Sequence, residues 1–269
     1  MSGFSFARVG AMVLRYFYVL RSSYPRLLEM VYWPTVQMLT WGFLQSYFAS
    51  SVAPQGQAVK LGAALIGAVL LWDVLLRTQQ GFSFAFVEEM WSRNLANLLM
   101  SPLTPAEYIL SLMAVSLVRL TVGVIPVTIM AIWFFGFNLW SLGLALGVFF
   151  AVLAFFPWSV GLLVSGLLMR YGLGVEALIW SLIFAVQPLG CVYYPVATLP
   201  AWLQPVAYAL PATYVFEGLR ALLLDRVWRG DLMTYGLALD AFYFAAAGYA
   251  FLRLLRGARR AGSLLQTGE

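Results

Sequence analysis

Residues 87–108 read VEEMWSRNLANLLMSPLTPAEY. Two adjacent acids, an arginine, two asparagines and two prolines stand here between long apolar runs. The spacing predicts a helix, a break and a second helix. Val87, Met90, Trp91, Leu95, Leu98 and Leu99 fall on one helical stripe, with Glu88, Glu89, Ser92, Arg93 and Asn97 off it. Glu89 and Arg93 stand four apart with the acid first, a favourable pair on a helix. Ser101-Pro102 stops the helix, because the residue before a proline avoids the helical region. Thr104-Pro105-Ala106-Glu107 reads as the next N-terminus, with a hydroxyl cap, proline at the first position and an acid in the first turn. A polar helix over 87–101 could be a catalytic segment, a plain connector or a contact surface. The rest of the chain bears on which.

Of the 269 residues, 62% are hydrophobic and only 10% are charged. An ordinary soluble domain carries about 25% charged residues. Such a chain cannot bury its apolar surface in water, and it reads as an integral membrane protein. Six runs are long and apolar enough for spans: 27–49, 61–78, 109–135, 142–169, 175–194 and 235–255. Asp73 and Arg77 sit four apart near the end of the second run and can pair. The N-terminus does not read as a cleaved leader, since Arg8 and Arg15 interrupt any short apolar core. Residues 1–26 read instead as a helix lying at the membrane surface. Arg8, Arg15 and Ser22 share one side, and Val9, Met12, Val13, Tyr16, Phe17 and Leu20 supply the apolar remainder.

Positive charge orients a membrane chain. With both termini cytoplasmic, eleven arginines fall inside: Arg8, Arg15, Arg21, Arg26, Arg77, Arg93, Arg170, Arg253, Arg256, Arg259 and Arg260. Lys60, Arg220, Arg226 and Arg229 fall outside. This places 87–108 in the cytoplasm. On the outer side, prolines at 188, 195, 200, 205 and 211 forbid one unbroken helix. The segment 196–231 is still apolar, and it reads as a re-entrant hairpin of two short helices in the outer leaflet. A plain outer loop is the alternative.

Several chemistries lack their residues. Histidine is absent, so no Ser-His-Asp triad and no H-E-x-x-H metal site can form. The only lysine is Lys60, in AVKLG, which does not fit the phosphate-binding loop G-x-x-x-x-G-K-[ST]. The arginines track membrane edges rather than one face, which argues against nucleic acid. Cys191 is the single cysteine and makes no internal disulfide.

A few polar groups fall inside the spans. Arg119 lies well into the third, and Asp240 lies a few residues into the sixth. Each could serve a substrate pathway or gate, or a structural ion pair, including one with the other. Gln187 beside Pro188 is a further candidate for the same roles. Trp33, Trp41, Trp72 and Trp180 could line a passage that stacks on sugar rings, or could meet lipid and core. Gly143 and Gly147 are spaced for close helix contact.

The order of elements resembles the permease subunit of type-2 ABC exporters, which move polysaccharides, lipo-oligosaccharides and drugs. The residues that carry the likeness are EEMWSRNLANLLMSPLTPAEY at 88–108 and LPAWLQPVAYALPATYVFEGLR at 199–220. The resemblance implies an all-α fold in one transmembrane domain over 1–269. It implies a cytoplasmic coupling helix at 87–101 that docks on a separate ATPase chain, through Glu88, Glu89, Trp91, Arg93, Leu95 and Leu98. It implies a pairing with a second permease copy in the bacterial inner membrane. ATP and magnesium would belong to the ATPase, with no cofactor held by this chain. Many relatives have a more arginine-rich coupling segment, such as E-R-E-R-G-T, where this chain has EEMWSRN. A membrane-embedded lipid-modifying enzyme and an ATP-independent channel or carrier are the alternative classes. No convincing inverted repeat supports the latter.

Overall fold

The computed structural model describes residues 3–51 and 55–261, without the side chains of 48–59 and of Leu99. Residues 1–2, part of the N-terminal helix expected above, and residues 52–54 and 262–269 lie outside the described residues, as does the side chain of Leu99 in the apolar stripe. Among the described residues every regular element is helical. The helices are α1 (Phe6–Arg21), α2 (Tyr24–Ser51), α3 (Gln55–Trp91), α4 (Leu95–Met100) and α5 (Pro105–Phe135), then α6 (Leu144–Tyr171), α7 (Leu178–Leu189), α8 (Gln204–Tyr208), α9 (Pro211–Arg220) and α10 (Gly230–Ala261).

Four helices are long and apolar enough to cross a membrane: Lys60–Trp91 within α3, and α5, α6 and α10. Of the six spans expected from sequence, the second, third, fourth and sixth fall on these four helices, and the first and fifth fall on helices that do not combine the same length and apolar content. The fifth, 175–194, holds α7 within an apolar helical stretch over Leu173–Leu189, shorter than the others; because α6 ends and α10 begins at opposite ends of the bundle, the chain still passes from one end to the other here. Apolar composition continues past Leu189, but the chain turns at Pro188–Cys191, where Cys191 takes a left-handed φ of 52°. The first, now α2, is long enough at 28 residues, but Pro25, Arg26, Glu29, Pro34, Gln37 and Thr40 dilute its apolar content.

The central post is α3, whose apolar stretch is 78% buried, against 17% for α10. It runs antiparallel to α5, with Phe86 beside Tyr108 and Gly81 against Ser116. A Cβ on Gly81 would stand 2.9 Å from the Ser116 Cα, so this crossing requires glycine. On its other side Gly161 of α6 meets the Phe82 ring. Helices α6 and α10 run parallel: Val152 meets Gly236, Phe156 meets Tyr243, and Gly166 meets Leu254. Parallel neighbours need a long crossover, which α7, α8 and α9 supply. Close contact at Gly143 and Gly147 is not found, since a Cβ on either would meet open space.

The two ends of the bundle differ. One carries α4 and is covered by α1, whose Val9, Met12, Tyr16 and Leu20 are buried. Phe6, Leu14, Phe17 and Tyr18 of the same helix stay exposed. The other end carries α8 and α9. Pro211, Ala212, Thr213, Val215, Phe216, Gly218 and Leu219 of α9 are buried, and Phe216 and Leu219 join the core around Leu71 and Phe149.

Candidate functional site

The quoted stretch folds as follows. Helix α3 continues without a break from its apolar run to Trp91. Arg93 then adopts a left-handed φ of 55°, and the six residues of α4 follow. The single helix expected over 87–101 is therefore two pieces separated by a turn at 92–94. The second boundary is as the residues predict. Thr104 caps α5 by accepting from the Glu107 N–H, while the Glu107 carboxylate accepts from the Thr104 N–H at 2.7 Å.

The acids do not form an exposed docking face. Glu89 is 2% exposed and accepts from Arg15 of α1 through both oxygens, at 2.5 and 3.0 Å. Asn94 in the turn also donates to it, at 2.7 Å. Beside Glu89 the Arg15 guanidinium is raised further above its already high value, first through that hydrogen bond. The predicted Glu89–Arg93 pair is absent, because the left-handed turn points Arg93 away to solvent. Glu88 is held by Arg119 of α5 at 2.9 Å and Arg26 of α2 at 3.6 Å. Glu107 is wholly buried and accepts from the Ser5 N–H at 2.6 Å and from Arg8 Nε and Nη2. Three acids thus gather four arginines from three helices at the α4 end.

The apolar stripe is also turned inward in part. Leu95 is buried, and Leu98 packs against the core that holds Phe86, Tyr108 and Leu112. Trp91 stays half exposed, and its indole N–H donates to Glu176, in the α6–α7 connection, at 3.2 Å. What the α4 end presents outward is Trp91, Ser92, Arg93, Asn97 and Met100, with Met100 76% exposed. Met100 escaped the sequence pattern because it lies off the stripe.

Of the residues placed on a pathway, the structure brings two together. Trp41 of α2 stacks on Tyr193 with ring centroids 4.4 Å apart. The Tyr193 hydroxyl accepts from Gln187 of α7 at 3.0 Å and lies 3.5 Å from the Gln37 amide. Trp180 and Phe184 stack along the same exposed side of α7, 6.1 Å apart. Tyr193 and Gln37 were not singled out in the sequence. Tyr193 sits beyond the end of α7 among prolines, where no helical periodicity marks it. Trp33 is exposed and pairs edge-on with Tyr32, apart from this group.

Arg119 and Asp240 do not meet. Arg119 is spent on Glu88. Asp240 is 2% exposed in α10, and neither carboxyl oxygen has a hydrogen-bond partner among the described residues. The expected Asp73–Arg77 pair does form, at 3.3 Å.

Comparison with curated proteins gives no match. A family model described as ABC-2 type transporter matches residues 18–224, from the last turn of α1 through the turn after α9. The chain belongs to this family, as a multi-pass membrane permease subunit of a type-2 ABC transporter.

Proposed function

We propose that this chain is the membrane-spanning half of an ATP-driven exporter in a bacterial inner membrane, with both termini cytoplasmic. A separate ATPase chain binds ATP and magnesium and docks on the outward face of the α4 end, at Trp91, Ser92, Arg93, Asn97 and Met100. A second, identical permease copy covers the face formed by α2 and α7. The segment 196–231 dips into the outer leaflet as a re-entrant hairpin. The substrate is amphipathic: a glycan, a glycolipid or a drug.

The observation that carries this reading is the half-exposed group of Gln37, Trp41, Gln187 and Tyr193, extended along α7 by Phe184 and Trp180. Amide and phenol groups do not face hydrocarbon without cost, so this side of the bundle meets protein or a water-filled passage. The exposed side of α10 contrasts with it, carrying Leu237, Phe242 and Leu252, which suit lipid. Flat aromatic faces flanked by amides match a sugar ring or an amphiphile, which offer both apolar faces and hydroxyls.

The test is transport into inverted proteoliposomes holding the permease and the ATPase encoded beside it. Trp41→Ala with Tyr193→Ala should leave the complex assembled and hydrolysing ATP, while substrate flux falls about tenfold, the loss of one good stacking contact of about 1–1.5 kcal/mol. Wild-type flux in the double variant would remove the passage from this face.

A further inference from the structure

Arg8 and Arg15 stand seven residues apart on α1, on nearly the same side and about 10 Å apart along its axis. Each grips a different helix. Arg15 holds Glu89, two residues before the end of α3, with a two-pronged bond of 2.5 and 3.0 Å. Arg8 holds Glu107, the third residue of α5, at 2.5 and 3.1 Å. These are the helix that leads into the turn and α4 and the helix that leads out. Both acids are at most 2% exposed, so neither can exchange its arginine for water without loss. The α1 backbone joins the grip, since the Ser5 N–H also donates to Glu107. Asn94 ties the turn itself to Glu89. Beneath them the Arg119–Glu88 pair joins α5 to α3 directly.

A helix that merely rested on the membrane would turn its arginines toward lipid phosphates. Here both turn toward buried carboxylates while staying partly exposed, and the residues left outward on α1 include Phe6, Leu14, Phe17, Tyr18, Val19 and Arg21.

We infer that α1 is a strut that fixes the spacing of α3 and α5 across residues 92–104, and so makes that segment a stiff lever rather than a hinge. Arg8 and Arg15 are positioning residues: they touch neither ATPase nor substrate, and they act through Glu107 and Glu89. A force applied at Trp91 or Met100 then moves α3 and α5 as one body. Without the strut the same force is absorbed by flexing the turn at Arg93. This inference rests on the docking reading above.

The experiment uses the full permease–ATPase complex in proteoliposomes and reads substrate moved per ATP hydrolysed. Arg15→Glu and Glu89→Arg, each alone, should keep the ATPase bound and lower that ratio about tenfold, and the swapped pair should restore it to within about threefold. Arg15→Lys keeps the charge but loses the two-pronged bond, and it should lower the ratio by a smaller factor. It is the variant to read if the charge reversals fail to assemble. A merely structural role would lower yield or thermal stability and leave the ratio unchanged; that result in Arg15→Lys and in any assembled reversal overturns the strut. If the wild-type permease fails to bind the ATPase at all, the docking reading falls and the lever falls with it.

Discussion

The two ends of this bundle solve one problem in different ways. Each must hold a stretch of chain that is not a continuous helix, and such stretches leave backbone and side-chain groups unpaired. At the α4 end the solution is charge. Glu88, Glu89 and Glu107 collect Arg8, Arg15, Arg26 and Arg119 from α1, α2 and α5. At the α9 end the solution leans on neutral groups, although Glu217 also accepts from the Val196 N–H at 2.8 Å and Arg220 donates to the Val192 carbonyl at 3.3 Å. Prolines remove backbone donors, and side-chain donors reach the carbonyls left over. The Tyr194 hydroxyl donates to the Pro188 carbonyl at 2.7 Å, Thr213 to Ala207 at 2.6 Å, Tyr214 to Tyr208 at 2.9 Å and Tyr243 of α10 to Ala209 at 3.1 Å. The two ion pairs of this end, Glu217–Arg220 and Arg229–Asp231, join residues three and two apart. They stitch local chain, whereas the pairs at the α4 end join separate helices. Long-range ion pairs make one end a rigid junction between helices. Side-chain bonds to loop backbone make the other a compact cap, tied to α10 through Tyr243.

The largest way to break this contrast is at Glu107. Its carboxylate is the shared acceptor for Arg8, the Ser5 N–H and the Thr104 N–H. Glu107→Ala strands a partly solvated cation and two backbone donors, and it should lower stability more than any single change at the α9 end, read as thermal unfolding of the purified permease in detergent. A loss below about 1 kcal/mol would mean that the charges at this end are spectators, as exposed pairs usually are. The α9 end should yield less per change. Thr213→Val and Tyr194→Phe each remove one neutral hydrogen bond and should cost about 1 kcal/mol apiece. The two ends should also differ in reach. Glu107→Ala should raise hydrogen exchange in α1, α3 and α5 together, while Thr213→Val should raise it only near 205–216. Exchange that spreads across the bundle from Thr213 would erase the distinction.

The parts legible in the sequence were those written in local chemistry. Thr104, Pro105 and Glu107 lie within four residues, and their capping box forms as read. Asp73 and Arg77 share a helix face and pair. The prolines of 188–211 interrupt the helix as they must. The parts not legible depend on which helices become neighbours. Nothing near Glu88 or Glu89 announces that their partners lie 31 and 74 residues away. The nearer candidate, Arg93, was the misleading one. Its left-handed backbone carries no glycine or proline to mark it. Composition does not mark where α7 stops, because residues 190–194 stay apolar after the helix ends at Leu189. Trp41 stands out as a tryptophan within a span and Gln187 as a polar group inside an apolar run. Tyr193, which joins them, does not stand out, since its role is defined by the fold around it.

The central claim is that the ATPase acts at the α4 end and not at the α9 end. A photo-crosslinking residue at Met100, and separately at Trp202 in the connection before α8, makes the most direct comparison, since both side chains are about three-quarters exposed. In the reconstituted complex with the purified ATPase, irradiation should join the ATPase to position 100 and leave position 202 unjoined to it. An ATPase adduct at 202, or none at 100 while the complex remains assembled, would contradict the account.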